Sequence, residues 1–526
     1  MRYIVNNLRL LIDEDINNLK MQLYRKLGIS FEEIKKFRVI REAIDARRKS
    51  KIEFVFSVEI EVDGKLRQEN PDITMIEETE ITSLISGNIK LESRPIIVGT
   101  GPAGMFAGLI LARNGYKPLL IERGPGVEQR TKALNKFWEE GKLDTEANIQ
   151  FGEGGAGTFS DGKLTTRIND PRVLSVLKEF IQAGAPKEIS YKAKPHIGTD
   201  ILREVVKNIR NRIIELGGEV RFNSKVNDIL IDSNSFVKGV KVREDTIESQ
   251  VVVIATGHSA RDVYEFLSKR NVKLLSKPFS IGVRIEHPQE FIDRAQYGDF
   301  AGHRRLGPAE YQLAFKQGQR AAYTFCMCPG GVVVAATSDE GEVVTNGMSY
   351  HARDGKNANS AFVVSVGPED FGNSHPLAGI EFQKIWEKMA FSVGGKKYFA
   401  PVQTLGDFID KRSTAKFGKV LPTYMPGVVP YDLTKCLPGF VVDMMMKAMG
   451  DFDKKIKGFA MKEALLTGVE TRTSAPVRVL RDNNFEAEGI NGLYPAGEGA
   501  GYAGGIVSAA VDGMRVAEAI MDKYSF

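Results

Sequence analysis

Two hydrophobic patterns alternate along the chain: strand-like runs with a period of two, and helix-like runs with a period of about 3.6. Near the N-terminus, residues 3–11 and 54–62 predict strands, and residues 16–27 predict a helix. Residues 31–36 predict a second, short helix. Elements in this order predict a small α+β domain of ferredoxin-like type over residues 1–92.

From residue 94 the pattern becomes strand, glycine-rich turn and helix. An apolar strand at residues 95–98 runs into Gly99-Thr100-Gly101-Pro102-Ala103-Gly104, and an apolar helix follows. A second strand at residues 118–121 ends at Glu122. This succession predicts the βαβ unit of a dinucleotide-binding domain.

Each glycine of this motif has a physical role. Gly99 permits the tight turn, Gly101 lets backbone N–H groups approach the pyrophosphate, and Gly104 lets the helix pack close to the strand. The helix N-terminus adds partial positive charge. Glu122 stands where a carboxylate accepts the ribose hydroxyls, which disfavours NADP because its extra phosphate would be repelled.

The glycine pattern alone is weak support, because it occurs twice more in this chain. Residues 152–157 and 499–504 also fit G-x-G-x-x-G. Neither has both a strand before it and an acidic strand end after it. Only the first copy is therefore interpreted as the dinucleotide fingerprint.

The carboxyl-terminal part indicates which dinucleotide binds. Residues 492–498, Gly-Leu-Tyr-Pro-Ala-Gly-Glu, resemble the second FAD motif of glutathione-reductase-type flavoproteins, where most members have Asp at the position of Glu498. Residues 251–258 resemble their middle "ATG" strand. Over nearly its whole length the chain resembles a bacterial family of uncharacterised FAD-dependent dehydrogenases, also described as NAD(P)/FAD-dependent oxidoreductases.

The resemblance implies an α/β fold with a discontinuous, Rossmann-like FAD/NAD(P)-binding domain at residues 94–165, 195–265 and 465–526. Residues 271–464 would form an α+β substrate or cap domain. Non-covalent FAD would carry a hydride to or from an unidentified small organic substrate. The sequence has no second dinucleotide fingerprint for NAD(P)H. NAD(P)H therefore remains a candidate only as a transient reductant that binds in another way.

The motifs and the resemblance together imply a set of FAD-binding residues. The glycine-rich segment at residues 154–163 would wrap the flavin, and the helix that starts near residue 505 would face its pyrimidine ring. The expected residues are Gly99, Gly101, Pro102, Ala103, Gly104, Glu122, Arg123, Gly154, Gly155, Gly157, Thr158, Lys163, Ala255, Thr256, Gly257, Gly497, Glu498, Gly504, Gly505 and Ile506.

Candidate catalytic residues are few, and each has a structural alternative. Lys163 could lie beside the flavin. Arg472 and Arg478 could hold an anionic substrate, or they could belong to structural ion pairs. Cys326 and Cys328 alternate on a predicted hairpin (residues 322–328 and 332–336), so both sulfurs could share a face as a redox pair; buried structural thiols are the alternative.

Composition narrows the function classes. Of the 526 residues, 42% are apolar and 26% charged, which excludes a disordered or fibrous protein. The net charge of +5 is too small for this length to indicate nucleic acid. Three cysteines exclude a disulfide framework and favour a reducing cytoplasm. No apolar run reaches the roughly 20 residues of a membrane span. Neither a metal site nor a particular oligomeric state is predicted.

Charge in the first 92 residues is uneven and leaves an alternative function open. Residues 1–51 hold 13 basic and 7 acidic side chains, whereas residues 52–92 hold 3 and 10. The basic half could meet an anionic partner, as in a flavoprotein that acts on tRNA, or it could be an ordinary solvated face. A redox-sensing or interaction protein that binds FAD is a further alternative.

Overall fold

An antiparallel sheet of four strands forms the N-terminal part. The computed structural model describes residues 1–66, 70–76 and 87–526. Its first elements are β1 (Arg2–Leu11), α1 (Leu19–Leu27), β2 (Ile34–Asp45), β3 (Glu53–Val62) and β4 (Ile73–Met75). The order is β2-β3-β1-β4, with every neighbouring pair antiparallel. The described residues between β3 and β4 contain no second helix, which a ferredoxin-like domain would have there.

The short helix expected at residues 31–36 is wrong. Only Phe31–Glu33 forms a single 3-10 turn, and the long strand β2 begins directly after it. Tertiary pairing overrides the local pattern here, because β2 adds its hydrogen bonds to β3 along almost its full length.

Cross-strand ion pairs balance the uneven charge of this unit. Basic residues of β2 lie against acidic residues on or just after β3: Lys35 pairs with Asp63 at 2.6 Å and Lys36 with Glu61 at 2.8 Å. Arg38 also pairs with Glu59. The basic and acidic halves of the unit therefore face each other across one sheet.

The second part of the chain supplies a parallel sheet and its helices. Its elements are β5 (Ile89–Lys90), β6 (Ile96–Val98), α2 (Pro102–Arg113), β7 (Leu119–Ile121), α3 (Val127–Glu140), α4 (Arg172–Gln182), α5 (Thr199–Glu215), β8 (Glu219–Arg221), β9 (Val226–Ile231), β10 (Val237–Val242), β11 (Asp245–Glu248), β12 (Val252–Ile254) and α6 (Arg261–Lys269).

The remaining elements build a larger sheet and then return to the first one. They are β13 (Leu274–Ser276), β14 (Phe279–Pro288), α7 (Gln289–Tyr297), β15 (Ala314–Gln317), β16 (Arg320–Cys328), β17 (Val332–Ala335), β18 (Thr345–Met348), β19 (Asn357–Val366), α8 (Ala378–Val393), β20 (Ala400–Thr404), α9 (Leu405–Ile409), β21 (Val428–Pro430), α10 (Gly439–Lys455), β22 (Leu465–Glu470), β23 (Val477–Val479), β24 (Leu493–Pro495), α11 (Ile506–Lys523) and β25 (Tyr524–Ser525).

Five parallel strands in the order β24-β12-β6-β7-β8 form the centre of the molecule. The inner strands β6, β7 and β12 are buried on both faces, as their unbroken apolar sequences require. Their carboxyl ends meet at one edge, where ligands bind in sheets of this kind. Three motif segments that are distant in sequence therefore converge: residues 99–104, 255–258 and 497–499.

The cap region is organised around a seven-stranded sheet in the order β15-β16-β19-β14-β22-β20-β21. One face is apolar and packs in the same buried cluster as α10. The hairpin expected at residues 322–336 is wrong: β16 pairs with β15 and β19, whereas β17 pairs with β18. The expected cofactor-domain start at residue 465 also falls on β22, which lies in this sheet between β14 and β20.

Two further connections tie the ends of the chain to the rest. β5 pairs with β25, so residues 89–90 are held by the last strand of the chain. β13 pairs with β23, and this ribbon joins the large sheet to the parallel sheet. No helix among the described residues combines the length and the apolar character needed to cross a membrane.

Candidate active site

The first glycine motif forms a cradle whose shape depends on missing side chains. A Cβ on Gly104 would lie 1.9 Å from the Gly99 carbonyl oxygen, and one on Gly99 would lie 2.5 Å from that of Ala255. Both glycines are therefore required by packing. A Cβ on Gly101 would meet only the Gly155 Cα, at 3.9 Å. Gly101 thus leaves open space beside the N-terminus of α2, at Pro102 and Ala103.

Glu122 is buried at the end of β7 and already accepts four hydrogen bonds. One carboxylate oxygen accepts from the Thr100 N–H and hydroxyl, both at 2.9 Å. The other accepts from the N–H groups of Gly124 and Gly152, both at 3.0 Å. The acidic end of the fingerprint therefore fixes three separate turns, and the rotatable Thr100 hydroxyl is the bond that a ribose hydroxyl can replace.

The glycine-rich loop is held by one buried arginine that the sequence did not single out. Arg130 of α3 is 0% exposed and donates only to backbone carbonyls, including those of Asn148 at 2.9 Å, Ile149 at 2.7 Å and Gly155 at 2.9 Å. These bonds fix the start of the loop and the residues just before it. The Thr158 hydroxyl has no partner among the described residues.

The second motif lies opposite, in a loop fixed from three sides. The Gly497 N–H donates to Asp512 of α11 at 2.7 Å, the Tyr264 hydroxyl donates to the Gly499 carbonyl at 2.6 Å, and Arg478 donates to the Gly501 carbonyl at 3.1 Å. A Cβ on Gly497 would lie 2.7 Å from the Ala103 Cβ, so this loop closes directly on α2.

Glu498 projects from that loop without a hydrogen-bond donor among the described residues. Burial raises the pKa of its carboxyl to about 7, although Lys277 lowers it in part. A half-buried acceptor that the chain leaves unsatisfied needs a ligand or water. It suits the hydroxyls of a ribityl chain.

The N-terminus of α11 opens onto the same space. Gly504 and Gly505 are exposed, and a Cβ on Gly504 would meet nothing within 4 Å. Ile506 begins the helix, and its side chain lies against Gly157 of the glycine-rich loop. The uncapped N–H groups of a long helix favour an electron-rich ligand edge at this point.

These groups fit FAD. Two helix N-termini, two glycine cradles and two carboxylates line one continuous edge of the parallel sheet, as a long dinucleotide requires. The backbone of Ala255, Thr256 and Gly257 lies between the two motifs, since β12 separates β6 from β24. FAD bound here would supply two-electron redox chemistry at its flavin ring.

Arg123 directly follows Glu122 of the cradle, but its guanidinium already binds other residues of the chain. It bonds Glu146 at 2.5 Å and Asp262 at 3.0 Å, and its guanidinium lies 3.9 Å from the centre of the Phe151 ring. This stacked, doubly paired geometry holds the Arg123 side chain in a fixed position.

A second group of candidates meets on the polar face of the large sheet. Lys163 is the last residue of the glycine-rich loop and donates to the Met327 carbonyl, so the loop lies directly against β16. Its ammonium is 3.9 Å from Glu310 and 4.0 Å from Asp161. The structure therefore brings Lys163 next to Cys326 and Cys328, as candidates for one site.

A bulge interrupts β16 between Phe325 and Cys328, so the regular alternation from which a shared face was expected is broken at the cysteines. Cys326 has φ +43° and is exposed, whereas Cys328 is buried, and both thiols are free. Although Cys326 keeps accessible surface, burial of its thiol among surrounding protein atoms raises the thiol pKa to about 12. Burial raises that of Cys328 to about 11. Both thiols are protonated at neutral pH, which disfavours thiolate chemistry.

Glu470 and Arg472 both form buried ion pairs with other residues of the chain. Arg284, which is 0% exposed, bonds the Glu470 carboxylate at 2.9 and 3.0 Å. Arg472 bonds Glu387 and Glu342, at 2.9 and 3.2 Å. Arg261 joins the same carboxylates from α6, so this cluster connects the two sheets. The contacts of Arg472 are those of a structural residue.

Several residues in and around the candidate site carried no signal in the sequence. Arg130 occupies an ordinary amphipathic helix, and Lys277 follows a short strand. Asp512 did have a detectable signal, because it is the one charged residue in the otherwise uncharged stretch 506–514 at the start of α11. His258 and His287 lie near motifs, and burial lowers the pKa of each to about 4, so both are neutral at pH 7.

Family models match three consecutive parts of the chain. Residues 93–275 match the pyridine nucleotide-disulphide oxidoreductase model, and residues 278–473 match the model for an FAD-dependent protein, C-terminal domain-like. Residues 2–61 match a domain of unknown function. The first two models meet between residues 275 and 278, at the ribbon strand β13.

A full-length relative is found in Clostridium beijerinckii. This uncharacterised protein is 51% identical to the chain over 526 residues. The alignment covers 99% of this chain and 98% of the Clostridium protein. The fumarate reductase (cytochrome) of Shewanella frigidimarina is 22% identical over 32% of this chain and 33% of its own. Among solved structures, glycine oxidase from Geobacillus kaustophilus is 11% identical with a TM-score of 0.36, covering 83% of this chain and 96% of its own.

Proposed function

The chain belongs to the same family as its full-length Clostridium relative, and we propose that it transfers a hydride between flavin N5 and a small organic substrate. It matches both flavoprotein models, so it is an FAD-dependent oxidoreductase. We place the substrate in the cleft between the glycine-rich loop and the polar face of the large sheet. The free thiols are consistent with a cytoplasmic location, which we also propose.

The observation that carries the proposal is the accessibility of β16. This strand lies inside a seven-stranded sheet, between β15 and β19, yet Phe325 is 39% exposed and Cys326 is exposed beside it. Lys163 brings the flavin-binding loop onto the same strand through the Met327 carbonyl. An internal space lined by an aromatic ring, a thiol and the cofactor loop suits a small, partly apolar substrate.

Each residue of this cleft has a role that follows from its environment. Cys326 would donate a hydrogen bond to the substrate as a neutral thiol, because its raised pKa keeps the proton on sulfur. Tyr323 bonds Ser280 at 2.7 Å between hydroxyl oxygens, and this pair can orient a polar group of the substrate. Lys163 holds the loop against the sheet and thereby excludes water from the reacting centre.

Anaerobic titration of the holoenzyme tests this proposal. NADH, NADPH and dithionite are compared as reductants, and the reduced enzyme is then challenged with small oxidised compounds while flavin absorbance is followed. We expect Phe325→Ala to raise KM at least about tenfold for any compound that reoxidises the flavin, with FAD content unchanged. Leu421→Ala is the matched control, because Leu421 is exposed (63%) in a loop. Equal effects of the two variants would contradict the placement of the substrate.

A further inference from the structure

A pair of basic side chains borders the cofactor cleft without carboxylate partners at salt-bridge distance among the described residues. Lys277 follows β13, and Arg478 lies on the paired strand β23. Arg478 donates to the Gly501 carbonyl at 3.1 and 3.3 Å and lies 5.1 Å from the centre of the Tyr502 ring. The side chain of Lys277 makes no hydrogen bond or ion pair within the described part of the chain.

The fully buried arginines of this protein behave differently. Arg261, Arg284, Arg353 and Arg472 each bind at least one carboxylate, and Arg130 binds five carbonyls. Lys277 is half-buried, and burial together with Arg478 lowers its pKa. An ammonium held in a partly desolvated place beside another cation is costly unless an anion reaches it.

The position of the pair connects it to the flavin site. Lys277 influences both Glu498 and His258 electrostatically, so it faces the loops that hold the cofactor. Ser280 lies three residues further along, roughly 10 Å in extended chain, and bonds Tyr323 of the substrate cleft. On the same ribbon Leu275 is 51% exposed, and Tyr502 is 37% exposed beside Arg478, so the pair lies at the opening.

We propose that Lys277 and Arg478 form an anion-binding site at the mouth of the cofactor cleft, and that the anion is a carboxylate of the organic substrate. This inference rests on the proposed function and adds a substrate class to it. Two cations beside the single carboxyl group of Glu498 leave room for one negative charge, which a carboxylate supplies. A phosphate dianion would exceed that charge and would be repelled by ionised Glu498.

Binding titrations of the oxidised holoenzyme test the site. Succinate and benzoate are titrated against succinamide and benzamide, and the perturbation of flavin absorbance gives each Kd. We expect the carboxylates to bind and the neutral amides to bind at least about tenfold more weakly. Lys277→Met and Arg478→Gln should each weaken carboxylate binding about tenfold or more, whereas Lys277→Arg should restore it. All variants are titrated at saturating FAD, because Arg478 also holds the Gly501 carbonyl and Lys277 lowers the pKa of Glu498, so either change can weaken FAD as well.

Lys273→Met is the matched control, because Lys273 lies on the same segment with a 61% exposed side chain and pairs with Glu488 at 3.2 Å. It should leave all affinities unchanged. The proposal is overturned if wild type shows no saturable carboxylate binding, or if the amides bind equally. It is also overturned if Lys277→Met at full flavin occupancy binds the carboxylates as wild type does, since Lys277 would then act only through Glu498 and the cofactor. These titrations involve no turnover, so they can fail while substrate still reduces the flavin.

Discussion

Glu122 and Glu498 are both expected cofactor ligands, and the structure gives them opposite surroundings. Glu122 accepts four hydrogen bonds from its own chain. Glu498 accepts none from the described residues, and burial raises its pKa to about 7. The first carboxylate therefore organises the cradle before any ligand arrives, whereas the second is left for a ligand to satisfy.

Glu122→Gln should damage both the fold and the cofactor site. Whichever way the new amide turns, its nitrogen faces at least one N–H donor about 3 Å away, at Thr100 or at Gly124 and Gly152, and that donor loses its acceptor. We expect the free energy of unfolding to fall by about 1.5–3 kcal/mol and FAD to bind at least about tenfold more weakly. Chemical denaturation and flavin fluorescence quenching measure the two effects.

Glu244→Gln provides the comparison for this change, because the Glu244 side chain is 96% exposed. It should alter neither stability nor FAD affinity. If both glutamine variants behaved alike, Glu122 would not be the centre of the turn network.

The raised pKa of Glu498 predicts a pH dependence with a definite sign. Its folded-state pKa of about 7 exceeds the usual 4.5, so the apoprotein loses stability from this group as pH rises from about 4.5 to about 7. FAD hydroxyls donate to the ionised form. FAD affinity should therefore strengthen as pH rises to 7, by up to about tenfold per unit.

Measurement of the FAD Kd between pH 5.5 and 8.5 checks this sign. Glu498→Gln should bind FAD more weakly at pH 8 and show a flat profile through pH 7. A wild-type affinity that fell with rising pH would contradict the assignment of Glu498 to the ribityl chain.

At the scale of elements, α11 combines a cofactor-facing end with an anchored body. Its N-cap Gly505 is exposed, while Asp512 in its second turn holds the Gly497 N–H at 2.7 Å and the Arg481 guanidinium at 2.6 Å. A Cβ on Gly513 would lie 2.0 Å from the Ala103 carbonyl, so α11 packs tightly on α2. The two helix N-termini are thereby fixed relative to each other.

Gly504→Val should disturb the flavin but not the fold. Gly504 has no positive φ, and a Cβ there meets no protein atom within 4 Å, so the added side chain enters the space kept for the ring. We expect lower flavin occupancy or a lower reduction potential, because the helix N-terminus can no longer approach an anionic reduced flavin. Dye-coupled titration at fixed pH measures the potential.

Gly450→Val is the control on a different helix, since a Cβ at Gly450 of α10 also meets nothing within 4 Å. It should leave the potential and the spectrum as in wild type. An unchanged potential and full occupancy in Gly504→Val would show that α11 does not face the flavin.

At the scale of the whole molecule, the N-terminal unit is bound to the rest by specific contacts. Arg305 donates to the Ile12 and Glu14 carbonyls at 2.7 Å, and its guanidinium lies 4.3 Å from the centre of the Phe54 ring. The edge of β2 also bonds residues 191–193 through both backbone groups of Glu42. Residues 1–92 are therefore more integrated than a free-standing domain would be.

Two truncations separate the N-terminal sheet from the segment behind it. Deleting residues 1–86 should leave FAD binding intact and lower the thermal midpoint, because β5 still pairs with β25 behind α11. Deleting residues 1–92 should cost further stability and lower FAD occupancy, since the end of α11 then loses that strand. Differential scanning fluorimetry and the flavin-to-protein absorbance ratio compare them. Identical behaviour of the two truncations would contradict a role for β5.

The sequence by itself determined the dinucleotide cradle, because that site is built from local rules. Gly99, Gly104 and Glu122 act through turn geometry, helix–strand packing and the end of one strand, all within about 25 residues. Ile96–Val98 and Leu119–Ile121 are apolar on both faces, as buried parallel strands must be. The second FAD motif could be recognised in the same way.

Only the tertiary structure decided the rest, because the deciding contacts join distant residues. β2 became a strand through pairing with β3, and the bulge that breaks the alternation between Cys326 and Cys328 arises where β16 meets β19. From the sequence, Arg472 is a candidate for binding an anionic substrate. In the folded protein it forms ion pairs with Glu342 and Glu387, which are distant in sequence. Whether a charged side chain is structural or available for a ligand depends on its ion-pair partner. That partner lies far away in the sequence, so no local pattern predicts it.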